Sequence, residues 1–197
     1  MATKLTRDRI VDKADQLFYE QGFEYTSFAQ IAEALGISRG NFYYHFKTKD
    51  EILDAVISNR LVRTNSMLDN WELEGDAPTG RIRSFINILV MNRAEIKRYG
   101  CPVGTLCTEL TKLDHPARSH ANELFTLFRT WLRRQFEQLG RSDDADELAM
   151  HLLGLSQGIA TLSSAFQDEK FIYSEVSRLD DWLASLTTAT NTQPEVL

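Results

Sequence analysis

Residues 27–49 read SFAQIAEALGISRGNFYYHFKTK, and this stretch decides the fold. Ser27 can accept a hydrogen bond from the start of a helix, and Gln30, three residues on, completes a capping box. Phe28, Ile31, Ala32 and Leu35 then fall on one helical face. Gly36 ends that helix, because glycine enters the left-handed region at little cost. Ser38 can cap a second helix. On it Phe42 and Phe46 are one turn apart and share a face, whereas Tyr43 and Tyr44 are rotated from Phe42 by roughly 100° and 200°. Both tyrosines cannot join Phe42 in a core, so they point outward. Arg39 falls near Tyr43, and Gly40 near Tyr44. Glycine weakens a helix, so Gly40 implies a close approach by something. A short helix presenting Arg39, Asn41, Tyr43, Tyr44 and His45 suits the major groove of DNA. From Ser38 to Lys49 the charges are Arg39, Lys47 and Lys49, with no acid before Asp50.

Working outward, the other segments are also helical. Proline and glycine number only 4 and 10 in 197 residues, and no alternating β-branched run occurs. The expected helices cover about 6–21, 27–36, 38–46, 48–71, 81–99, 102–112, 116–139, 144–166 and 171–186. They are separated by glycine stops, by the loop Glu74–Gly80, by the break Gly100-Cys101-Pro102 and by His115-Pro116. The fold class is all-α: a three-helix helix-turn-helix head, then a helical ligand-binding and dimerisation domain. The expected division is 1–48, 49–188 and a flexible tail over 189–197.

Net charge is -6, which at first opposes a DNA partner. Its distribution reverses that. Residues 1–65 carry nine basic and nine acidic side chains, so the remainder holds the whole negative excess. A neutral head with a basic tip fits specific DNA binding and predicts weak non-specific binding. No apolar run approaches the ~20 residues of a membrane span. The N-terminus lacks the apolar stretch of a secretory signal, which predicts a cytoplasmic protein with no membrane partner. Two cysteines in that compartment argue against a structural disulfide. No glycine-rich phosphate loop, nucleophile elbow or paired-histidine motif is present. The spacings of Cys101, Cys107, His115 and His120 are too wide for a zinc motif. No enzyme activity, cofactor or metal is expected.

Residues 6–53 resemble the DNA-binding domain of TetR-type (TetR/AcrR) transcriptional regulators. The resemblance is carried by Phe18, Gly22-Phe23, Thr26-Ser27, Ile31-Ala32, Gly36 to Gly40, Phe42 to Phe46, Lys49 and Leu53, about a quarter of the chain. It implies that Tyr44, His45 and Lys49 touch phosphates. Thr26 and Ser27, at a helix N-terminus, are placed to hold a phosphate. It also implies a palindromic double-stranded DNA operator and a homodimer. Pairing would run through the last two long helices, where His151–Phe166 is dotted with small residues and Trp182, Leu183 and Leu186 form an apolar stripe. The function implied is a ligand-responsive regulator, most simply a repressor. The alternative is a helical ligand-binding or interaction protein that does not bind an operator.

A small-molecule effector needs apolar walls and a few polar groups. Candidate walls are Phe85, Leu89, Met91, Leu106, Phe125, Phe128 and Leu162, with Glu109 and Gln157 as polar anchors; plain core packing is the competing account of each. Cys101 precedes Pro102, a residue favoured at the first position of a helix. Its sulfur would then face the positive helix end, which favours the reactive thiolate and makes Cys101 a candidate redox sensor. The competing account is a packed, inert cysteine.

Overall fold

The structure, a computed structural model, describes residues 2–75 and 77–190. Among the described residues there are ten helices and no strand. They are α1 (Ala2–Gln21), α2 (Phe28–Leu35), α3 (Arg39–His45), α4 (Lys49–Glu74), α5 (Pro78–Met91), α6 (Arg93–Tyr99), α7 (Pro102–Lys112), α8 (Arg118–Gln138), α9 (Ala145–Phe166) and α10 (Glu169–Thr190). The single helix expected over 81–99 is two. At Asn92 the side-chain Nδ2 donates to the Ile88 carbonyl at 3.0 Å, and the backbone leaves the helical region at φ -104°, ψ 16°. An asparagine side chain that competes for backbone partners interrupts the ladder there. The final helix begins earlier than expected, because the Asp168 carboxylate accepts from Lys170 N at 2.8 Å. From residue 191 on, the expected tail lies outside the described residues.

The chain forms two compact units, Met1–Thr64 with Pro102–Phe125, and Asn65–Cys101 with Thr126–Leu197. The first is wider than the residues 1–48 expected to read DNA. Its core is built by Ile10, Val11, Ala14 and Phe18 of α1, Ile31 and Ala32 of α2, Phe42 of α3, and Ile52, Leu53, Val56 and Ile57 of α4, together with Phe23 and Phe46. Leu106, Cys107 and Leu110 of α7 and Ala121 of α8 are buried in the same cluster. Burying a Leu or Ile side chain contributes about 1.5–3 kcal/mol, so α7 supplies a substantial share of the apolar stabilisation. Polar groups reinforce it. Arg60, 9% exposed, donates Nε to Asp15 Oδ1 at 2.7 Å and Nη1 to the Pro102 carbonyl at 2.6 Å. One buried guanidinium thus ties α4 to α1 and to the first residue of α7.

In the second unit α5 and α9 pack against α10, and α6 against α9. Ile82, Phe85, Ile86, Leu89, Trp131, Leu132, Phe136, Leu152, Leu153, Ile172, Val176, Leu179 and Leu183 are buried there. Trp71 stacks edge-on against Trp131 at 5.6 Å between ring centroids. In the first turn of α9, the Arg129 guanidinium beside Asp146 holds that carboxyl below its usual range.

Candidate nucleic-acid interface

The site is built by two caps and one stop. Ser27 Oγ accepts from Gln30 N at 3.3 Å, and Gln30 Oε1 accepts from Ser27 N at 2.7 Å, the reciprocal capping box expected from the sequence. α2 ends at Gly36, with φ 64°, and the next amide, Ile37 N, reaches back to the Ala32 carbonyl at 3.1 Å. A side chain other than glycine at that φ would meet its own backbone. Ser38 Oγ then accepts from Asn41 N at 3.2 Å and opens α3.

α3 buries one face and presents the other. Phe42 is 1% exposed and packs on Phe28 with ring centroids 4.9 Å apart. Phe46, also 1% exposed, lies one residue beyond the helix as its C-cap. Tyr43 and Tyr44 are 48% and 70% exposed. Tyr43 leans edge-on against Phe28, and Tyr44 against His45. Arg39, Gly40 and Asn41 are exposed beside them. A Cβ added at Gly40 meets nothing within 4 Å, so nothing in the chain itself requires glycine there. A groove of about 350 Å³ runs between α2 and α3, lined by Ser27, Phe28, Ala29, Ala32, Arg39, Phe42 and Tyr43. Arg39, Asn41, Tyr43, Tyr44, His45 and Ser27 are therefore brought onto one side of α2 and α3.

Two expected phosphate contacts are placed differently. Thr26 is 1% exposed; its hydroxyl donates to the Gly22 carbonyl at 2.7 Å and accepts from Gln21 Nε2 at 3.1 Å. That hydroxyl closes the α1–α2 turn and is not offered to a phosphate. The burial has a reason: the turn leaves the Gly22 carbonyl without a helical partner, and a buried acceptor needs one. Lys49 Nζ donates to the Phe23 and Glu24 carbonyls at 3.0 and 3.1 Å and lies 4.3 Å from the centre of the Phe23 ring.

The effector candidates do not form one group. Leu106, Glu109 and Phe125 belong to the first unit, Phe85, Leu89, Cys101, Phe128 and Gln157 to the second. Glu109 is no ligand anchor, because its carboxylate accepts the amides of Phe23 and Glu24. Met91 and Leu162 are 77% and 44% exposed, which removes them from a pocket wall. Phe85 stacks edge-on against Phe128 at 5.5 Å. Gln157 Nε2 donates to Cys101 Sγ at 3.4 Å. Cys101 is partly exposed and Cys107 is buried, and both are free thiols.

The sequence reading passes over Tyr25, which is 81% exposed in the turn just before α2. A tyrosine inside the otherwise polar run Glu24–Ser27 was the available signal. The same reading gives Glu109 the wrong partners, because no local pattern links residues 85 and 86 positions apart. Among the described residues no cluster of His, Cys, Asp or Glu could hold a metal ion.

A capped pair of helices joined by a glycine turn, with an aromatic and basic face on the second, defines a helix-turn-helix protein. Residues 10–56 match the model of the bacterial regulatory proteins of the tetR family. Residues 78–174 match that of the LmrA/YxaF-like transcriptional regulator C-terminal domain. The chain belongs to the TetR family. A transcriptional regulator from the lacX 3' region of Lactococcus lactis is 33% identical over 123 residues, covering 61% of this chain and 63% of that one. The transcriptional repressor DhaR of a Mycobacterium species is 26% identical over 137 residues, 68% and 65% of the two chains. The matched part of this chain thus spans less than two thirds of those relatives. A TetR regulator from Legionella pneumophila superposes with a TM-score of 0.79 at 25% identity, covering 90% of this chain and 96% of that one. No helix of the described residues is long and apolar enough to cross a membrane.

Proposed function

We propose that this chain is a cytoplasmic, homodimeric transcriptional regulator. It reads a palindromic double-stranded DNA operator and represses until a small molecule, or modification of Cys101, releases it. The carrying observation is the solvent face of α3, where Arg39, Asn41, Tyr43, Tyr44 and His45 surround a glycine that the fold does not need. Arg39, Asn41 and Tyr43 meet base edges or adjacent phosphates in the major groove. Tyr44, His45 and Ser27, with the free amides at the start of α2, take phosphates, and Lys49 adds charge beside them. Repression is supported by the relative DhaR, which is named a repressor.

Residues 1–48 carry the reading and 49–188 the effector response and pairing. Support for pairing comes from α9. His151, Gly154, Leu155, Gly158, Leu162 and Phe166 form an exposed stripe, and Cβ atoms at Gly154 and Gly158 would meet nothing within 4 Å. A second helix can approach closely along such a stripe, and a two-fold dimer matches two half-sites. For the effector, Phe85, Leu89 and Phe128 supply apolar surface and Gln157 a polar group. The test is selection from a random duplex pool by the purified protein. Enrichment of a palindrome is expected; retention of random sequence only would refute operator reading.

A further inference from the structure

The turn Gly22-Phe23-Glu24 joins α1 to α2 and is held by two side chains far away in sequence. Glu109, on α7, accepts Phe23 N at Oε2 and Glu24 N at Oε1, each at 2.9 Å. Two successive amides converging on one anion form a backbone nest. Gly22 sets its shape: φ is 93°, and a Cβ there would stand 3.0 Å from Glu109 Oε1. Lys49, at the start of α4, takes the opposite polarity of the same two residues through the Phe23 and Glu24 carbonyls. The N–H and C=O groups of Phe23 and Glu24 are therefore committed to one acid and one base. Thr26 extends the hold, its amide donating to the Phe23 carbonyl at 3.2 Å and its hydroxyl to that of Gly22. Ser27, the cap of α2, follows directly.

We propose that Glu109 is a positioning residue for DNA binding. By fixing this turn it sets where Tyr25, Ser27 and the unpaired amides at the start of α2 stand relative to a DNA phosphate. Because Glu109 is borne by α7, a shift of α7 is passed to that phosphate contact through two hydrogen bonds. A neutral side chain of the same length accepts through one oxygen only, so the carboxylate is chemically required for both amides. The inference rests on the operator-binding reading above.

The experiment compares wild type, Glu109→Gln and Glu109→Ala well below their melting temperatures. It reads amide hydrogen exchange in free protein and affinity for the selected duplex across a salt series. Glu109→Ala should speed exchange at Phe23 and Glu24 about tenfold, while Phe42 and Phe46 keep their rates. Its Kd should rise about tenfold and its salt slope should fall by about one unit, the loss of one phosphate contact. Glu109→Gln, which keeps one acceptor oxygen, should lie between the two, and it carries the comparison if Glu109→Ala does not fold. Faster exchange with wild-type affinity and slope would make Glu109 a purely structural residue and overturn the proposal. Unchanged exchange would overturn the clamp itself. A wild type that selects no duplex refutes operator reading and takes the proposal with it; a wild type that binds beside a variant that binds equally refutes the proposal alone.

Discussion

Gly40→Ala should make the protein more stable and worse at binding DNA. Gly40 is the second residue of α3, lies in solvent, and does not occupy the left-handed region. An alanine Cβ there would touch nothing within 4 Å. The free protein therefore gains helix propensity without a steric cost, about 0.5–1 kcal/mol at most this close to a helix start. For a chain of this length that is a rise in Tm of about 1–4 °C. Bound to DNA, the same methyl lies where the α3 backbone approaches the groove. Inserting a methyl into a packed contact costs about 1–3 kcal/mol, so Kd for the selected duplex should rise about tenfold. Thermal denaturation and fluorescence anisotropy on the same preparations read both effects, and the higher Tm excludes misfolding as the cause of weaker binding. A variant that is stabilised yet binds within twofold of wild type would refute the reasoning that DNA is what keeps glycine at this position.

Further outcomes follow from the same contacts. Thr26→Val leaves the Gly22 carbonyl without its partner and should cost about 1–3 kcal/mol of stability. Its salt slope for DNA should stay at the wild-type value, and a slope lowered by about one unit at unchanged Tm would restore Thr26 as a phosphate contact. Leu162→Glu sets a charge in the exposed stripe of α9 and should convert a species of twice the chain mass in sedimentation into a monomer; a variant that still pairs would place the interface elsewhere. Cys101, partly exposed, should alkylate faster than the buried Cys107. Oxidant should release DNA from wild type but not from Cys101→Ser, and equal release from both would remove the sensor role.

The DNA-facing helices were legible because their determinants are local. Ser27 with Gln30, Gly36, and the angular separation of Phe42 from Tyr43 and Tyr44 all act within a few residues, so periodicity and capping chemistry expose them. Thr26 was misread because burial is a tertiary property: a threonine beside a helix start looks the same whether its hydroxyl faces solvent or a carbonyl. Glu109 was placed in a ligand site because acids on a half-apolar helix have no sequence mark that names their partner. Only Gly22 hinted at it, as a glycine in a turn where a side chain would crowd that carboxylate. The break at Asn92 was hidden for another reason. Ile88, Leu89 and Val90 keep the helical pattern running up to a residue whose amide then competes for the backbone.

The burial of Leu106, Cys107, Leu110 and Ala121 among the residues of α1 to α4 bears on synthesis of the chain. When Ile57 leaves the ribosome the helix-turn-helix is already complete in sequence, yet its core lacks the side chains that α7 and α8 bring. At 5–20 residues per second the wait for Ala121 lasts on the order of several seconds. Through that interval the nascent chain exposes part of the apolar surface of α1 and α4, with nothing yet made to cover it. A DNA-reading head with this architecture matures late for its position near the start of the chain, and its newest intermediates are the ones a chaperone would meet.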